Sequence, residues 1–121
     1  MNTKKTLVLG ASENPARYSY LAINKLKQYG HPVIAIGKKA GKVNGISIQT
    51  GQPELQNIDT VTLYINPATQ QNYYNYILSL KPARIIFNPG TENASLEELA
   101  EKSGIKTIEA CTLVMLATNQ Y

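Results

Sequence analysis

Ten consecutive residues near the start of the chain, Gly10-Ala11-Ser12-Glu13-Asn14-Pro15-Ala16-Arg17-Tyr18-Ser19, bring together the groups that grip a phosphate. Gly10 lacks a Cβ and lets backbone approach an anion closely. Ser12 and Ser19 offer hydroxyls, and Arg17 can take a phosphate with two parallel N–H donors. A helix that follows adds backbone N–H groups, because its first turn has no internal acceptors for them. The stretch is not a full G-x-G-x-x-G, since Ser12 and Pro15 stand at the second and third glycine positions. The competing reading is a plain strand-to-helix turn in which Asn14 or Ser19 caps the helix and Arg17 is solvated.

A second cluster, Gly37-Lys38-Lys39, follows the next strand-like run. A dinucleotide site of the NAD type places an acidic residue there to hold the ribose hydroxyls, so lysines disfavour NAD. Cations at that point suit a phosphate on the adenosine ribose, which coenzyme A carries at the 3′ position and NADP at the 2′ position. Lysine supplies a point charge, which is enough for phosphate. A solvated lysine run on a long loop is the alternative. A further turn, Asn88-Pro89-Gly90-Thr91, falls after a later strand and could lend backbone N–H groups to a ligand or simply turn the chain.

General acid–base chemistry needs positioned groups within hydrogen-bond reach, and the sequence offers no nucleophile–base pair. The single histidine, His31, falls where a helix turns into a strand, away from these loops, and Glu13, Glu92 and Glu109 are isolated carboxylates. The lone thiol, Cys111, lies after the last strand and could pair with a ligand thiol. Its neighbours Glu109 and Ala110 do not supply the electropositive setting that activates a cysteine, so a small buried residue is the simpler reading.

The elements that must position these loops alternate between short apolar runs and longer amphipathic segments, the pattern of βαβ units around a parallel sheet. Strands are expected at Thr6–Leu9, Val33–Ile36, Val61–Ile65, Arg84–Phe87 and Thr107–Ala110, with a brief extra strand at Ile46–Ile48 inside the long connection 37–53. Tyr18, Leu21, Ala22, Leu26 and Tyr29 fall at helical spacing, and Gly30 stops that helix. Asn66 and Pro67 provide an N-cap and a proline at the first helical position, opening a helix with Tyr73, Tyr76, Ile77 and Leu80 on its apolar face. Three nearby tyrosines, 73, 74 and 76, cannot all point inward on one regular helix, so an exposed ring is expected; it could serve self-association or stand as an ordinary exposed ring. Ser95 to Glu98 fits a capping box, with Leu96, Leu99 and Ala100 inward and Gly104 as the stop. Leu113–Ala117 closes the chain as a short helix. The fold class is α/β: a three-layer Rossmann-like domain over residues 1–121, with a five-stranded, mostly parallel sheet ordered 3-2-1-4-5.

Composition narrows the function classes. The 121 residues suffice for one domain, and 43% hydrophobic with 17% charged residues is ordinary for a globular protein. The longest apolar runs fall far short of the roughly 20 residues a bilayer span needs, and the N-terminus lacks the apolar core of a secretion signal. One cysteine cannot form an internal disulfide, and a cytoplasmic location is expected. The net charge of +4 favours anionic partners, but without an aromatic–basic motif or a Cys/His metal module nucleic acid is disfavoured.

Taken together, these residues resemble the small stand-alone CoA-binding proteins similar to the N-terminal domain of the succinyl-CoA synthetase α-subunit. The resemblance runs nearly end to end. It rests on Gly10-Ala11-Ser12 with Asn14-Pro15, Arg17 and Ser19-Tyr20, on Lys39 with Gly45 beyond, on the strand–Pro67 junction, and on Cys111 after the last strand. It implies that the first loop and the lysine after strand two hold phosphates, and that the turn at the end of strand three lies beside the adenine or the pantetheine. Three positions depart from the family pattern: Gly37-Lys38 replaces Asn-Pro before Lys39, Asn66 replaces a basic residue before Pro67, and Ala110-Cys111-Thr112 lacks the flanking basic residue and proline. The catalytic histidine of the synthetase belongs to a separate domain. The reading that follows is a binder of coenzyme A or an acyl-CoA without catalysis of its own, acting alone, as a homodimer or with an acyl-transfer partner protein. An NADP-binding enzyme and an interaction protein on a Rossmann scaffold are the alternatives.

Overall fold

The computed structural model describes residues 2–121. Its centre is one seven-stranded sheet in the order β3-β4-β2-β1-β5-β6-β7. The strands are β1 Thr6–Ala11, β2 Val33–Gly37, β3 Gly41–Val43, β4 Ile46–Gln49, β5 Thr60–Leu63, β6 Arg84–Phe87 and β7 Lys106–Glu109. All neighbours pair in parallel except β3 and β4, an antiparallel hairpin.

This order corrects the expected 3-2-1-4-5. The third long strand, β5, pairs with β1 in register Thr6↔Thr60 to Leu9↔Leu63, and does not lie outside β2. The reason is the long connection after β2. It folds into β3 and β4, and β4 takes the outer edge of β2 through Ala35↔Ile48 and Ile36↔Gln49. With that edge filled, the chain crosses back and builds the rest of the sheet on the other side of β1.

Period-two burial explains the layers. Along β1, Leu7 and Leu9 enter one core cluster and Val8 the other, and the register shift between Leu9 and Ala11 turns Ala11 to the side of Val8. The first cluster is covered by α3 (Tyr74–Leu80) through Tyr76 and Ile77, and by α4 (Ala94–Lys102) through Leu96 and Ala100. The second is covered by α1 (Tyr18–Gln28) through Ile23 and Leu26, and by α5 (Thr112–Ala117) through Leu116. Each fully buried Leu, Ile or Phe contributes roughly 1.5–3 kcal/mol relative to exposure. None of the helices is long and apolar enough to cross a membrane among the described residues.

Four local expectations shift. The inward face of α1 is Ser19, Ala22, Ile23 and Leu26, a clean i, i+3, i+4, i+7 set, so Tyr18, Leu21 and Tyr29 are exposed. The helix opened by Asn66 is broken: α2 (Pro67–Gln70) passes into a 3₁₀ turn at Gln71–Tyr73 before α3. That turn changes the angular phase, so Tyr76 is buried and Tyr73 and Tyr74 are half-buried. No ring of the three is fully exposed. The cap of α4 is Asn93, whose Oδ1 accepts from the Leu96 amide at 3.2 Å, so Ser95 lies inside the helix and Leu99 is exposed.

Candidate functional site

Strands β2 and β5 flank β1, and the chain leaves the carboxyl end of β1 between them. Such a reversal point opens a crevice where ligands of α/β proteins bind. An open cleft of about 980 Å³ lies there. It is lined by the β1–α1 loop from Gly10 to Ser19, by Gly37-Lys38-Lys39 after β2, by Tyr64, Ile65 and Asn66 after β5, and by Pro89-Gly90-Thr91 after β6.

Two glycines shape its floor. Gly10 has φ +103°, and a Cβ there would lie 2.9 Å from the backbone carbonyl of Tyr64. Only glycine combines that torsion with that approach. At Gly37 a Cβ would run into the carbonyl oxygen of Ala11, so the ends of β1 and β2 touch backbone to backbone. The loop above them is held by short local bonds. Ser12 Oγ accepts from the Asn14 amide at 3.1 Å, Asn14 Oδ1 accepts from the Ala16 amide at 3.0 Å, and the Arg17 amide donates to the Asn14 carbonyl at 3.0 Å.

Asn14 therefore organises the turn and does not cap α1. The helix starts after Arg17 with no side-chain cap, and the Tyr18 and Ser19 amides have no acceptor among the described residues. Free amides at a helix start favour an anion. Arg17, Lys38 and Lys39 face the same cleft. The only salt bridge among the described residues, Lys102 to Glu98 at 3.0 Å, is elsewhere. None of the three cations is in a salt bridge among the described residues.

Of the residues expected to hold the cofactor, all line this cleft except Pro67 and Asn88. Pro67 opens α2 on its outer side, exposed to solvent. Asn88 is buried and points inward: its Nδ2 donates to Thr62 Oγ1 at 2.6 Å and to the Leu63 carbonyl at 2.9 Å, while its Oδ1 accepts from the Thr112 amide at 2.8 Å. It fastens β5, β6 and α5 behind the cleft. The Gly90 amide is already engaged, donating to Glu92 Oε1 at 2.9 Å. Cys111 is half-buried just before α5 and does not line the cleft.

Sequence reasoning set Glu13 aside as an isolated carboxylate and assigned no ligand role to Tyr64, Thr69 and Tyr73, all of which line the cleft. Thr69 and Tyr73 are four residues apart after the Asn66 cap, a spacing that marks one side of a helical segment. The Tyr64 hydroxyl is buried without a hydrogen-bond partner of good geometry. Burial pushes its pKa up to about 12, against the smaller opposing effect of the nearby Thr62 and Thr112 hydroxyls. It stays protonated at any physiological pH.

The family model described as CoA binding domain matches residues 4–117. The chain belongs to that family. A solved structure described as an uncharacterized protein is 52% identical, with a TM-score of 0.97 and 100% of both chains covered. A hypothetical protein from Pyrococcus horikoshii OT3 is 20% identical with a TM-score of 0.87, covering 97% of this chain and 84% of its own. A protein from Thermus thermophilus is 18% identical with a TM-score of 0.85, covering 98% and 91%. These last two share the fold. Among curated proteins the sequence finds no match.

Proposed function

We propose that this CoA-binding-domain protein binds coenzyme A or an acyl-CoA through the β1–α1 loop and the lysines after β2, and that it binds without catalysing a reaction itself. One observation carries the reading: Arg17, Lys38 and Lys39, none of them ion-paired among the described residues, share one cleft with the uncapped start of α1. Two phosphate positions follow. The diphosphate sits against the Gly10–Ser19 loop and the α1 amides, and the ribose 3′-phosphate sits at Lys38 and Lys39. The pantetheine arm runs past Ile65, Thr69 and Tyr73, where the lining turns partly apolar. His31 lies at the far edge of the sheet, bonded to the Lys4 amide, out of reach of a ligand in this cleft. The lone thiol fits a reducing compartment, and a cytoplasmic location belongs to the same reading.

A thermal-shift titration with CoA, acetyl-CoA, NADP and NAD tests this. Ligand at about 100 times its dissociation constant adds about 2.7 kcal/mol of stability. CoA and acetyl-CoA are expected to stabilise the protein, with the effect lost in the Arg17→Ala variant. Stabilisation by NADP alone would move the assignment to the NADP class, and no shift with any nucleotide at millimolar concentration would remove the cofactor reading.

A further inference from the structure

Glu13 is the one carboxylate among the described residues of the cleft that Arg17, Lys38 and Lys39 also line. It comes from the β1–α1 loop but reaches across to the β3 hairpin, where its Oε2 accepts from the Lys42 amide at 2.8 Å. The seat is shaped for it: a Cβ on Gly41 would collide with the Glu13 carboxyl group. Its other oxygen, Oε1, has no protein partner, and the carboxylate forms no salt bridge with Lys38, Lys39 or Lys42 among the described residues. Glu13 and the two lysines nevertheless line the same cleft.

A lone carboxylate among uncommitted ammonium groups would be expected to pair with one of them if the geometry allowed. Here a backbone amide holds it instead, leaving one acceptor oxygen in the cleft that Lys38 and Lys39 also line. That arrangement matches a ribose carrying one phosphate and one free hydroxyl. The lysines take the phosphate dianion, and the carboxylate accepts the hydroxyl proton in a charge-assisted hydrogen bond. In an NAD-type site the acid at the end of strand two accepts from the ribose hydroxyls. In this chain the acid arrives from the neighbouring loop.

We infer that Glu13 is a specificity-determining residue that accepts a hydrogen bond from the 2′-hydroxyl of an adenosine 3′-phosphate and also clasps the phosphate loop to the lysine-bearing connection. The inference rests on the CoA reading above. It separates two jobs by chemistry. Glutamine keeps an oxygen for the Lys42 amide but loses the charged acceptor, whereas alanine loses both.

The test uses adenosine 3′,5′-bisphosphate and its 2′-deoxy analogue as calorimetric probes on the wild type, Glu13→Gln and Glu13→Ala, together with hydrogen exchange at the Lys42 amide. Removing the 2′-hydroxyl is expected to weaken wild-type binding about tenfold and the Ala variant hardly at all, with Gln between. Lys42 exchange should stay slow in the wild type and Gln and become fast in Ala. Equal loss from the deoxy probe in all three proteins would overturn the ribose contact, and unchanged Lys42 exchange in Ala would overturn the clasp. If the wild type binds neither probe, the CoA reading fails and takes the ribose contact with it, while the exchange result still decides the clasp.

Discussion

The two edges of the parallel strands are built in opposite ways. At the carboxyl edge, Arg17, Lys38 and Lys39 stand without an ion pair among the described residues around an open cleft, and glycines bring backbones together so that the floor is bare. At the amino edge a cation is also present, but it is sealed. Arg84 is buried; its Nε donates to Thr60 Oγ1 at 2.9 Å and its guanidinium lies 4.4 Å from the ring centre of Tyr121. Tyr121 is hydrogen-bonded to Thr6 and packs at 4.7 Å from His31, whose Nδ1 accepts from the Lys4 amide at 3.0 Å. One edge leaves charge available, and the other spends an aromatic ring and two threonine hydroxyls on covering it. The difference teaches that positive charge alone does not mark the site; charge without a protein partner, beside free amides, does.

This contrast can be broken from either side. The largest effect is expected from Gly37→Ala, because the added methyl meets the Ala11 carbonyl and neither strand end can yield without disturbing β1–β2 pairing. Urea unfolding should show a loss of about 2–4 kcal/mol, accompanied by loss of CoA binding. Tyr121→Ala should cost slightly less, about 2–3 kcal/mol, since it removes a packed ring and its stacking on Arg84. Its CoA affinity should stay that of the wild type, and a parallel fall in affinity would show that the two edges are coupled.

The paired substitution Lys38→Ala with Lys39→Ala should do the reverse. Both side chains are exposed and form no ion pair among the described residues, so the urea midpoint should hardly move. Binding of CoA should weaken roughly tenfold or more, and its dependence on salt should flatten, because the ion pairs with phosphate are gone. Unchanged affinity would relocate the ribose phosphate.

The smallest effect concerns His31. Burial, followed by the charges of Lys4 and Arg84, lowers its pKa below 6.5 despite an opposing pull from Asp59. The folded state thus resists a proton that the unfolded chain accepts. The sign follows: this stability is fully present above about pH 6.5 and is lost as pH falls through the lower folded value. Unfolding midpoints measured between pH 7.5 and 5 should decline in the wild type, and the decline should be shallower in His31→Asn.

The strands and most of the cleft residues were legible in the sequence because both depend on local chemistry. Apolar runs of four or five residues between turn signals mark β1, β2, β5, β6 and β7 to within a residue or two, and Gly30 and Gly104 stop their helices at positive φ as their positions imply. The Gly10–Ser19 loop was legible since phosphate chemistry needs these residue types after a first strand. Side-chain direction was not. Asn88 and Asn14 look equally suited to a ligand in sequence, yet one turns inward to join Thr62 and Thr112 and the other shapes its own loop.

By itself, then, the sequence determined the α/β class, the strand segments and the loops that carry cationic and hydroxyl groups, since these follow from periodicity and residue type over a few positions. Only the tertiary structure decided the sheet order and the acid's place. Strand order depends on which edge of β2 is already filled, and the hairpin of β3 and β4 fills it. Glu13 reaches the lysine loop because β1 and β2 lie side by side with Gly37 and Gly41 clearing the space. Both are contacts between residues distant in the chain, where no local pattern can set the outcome.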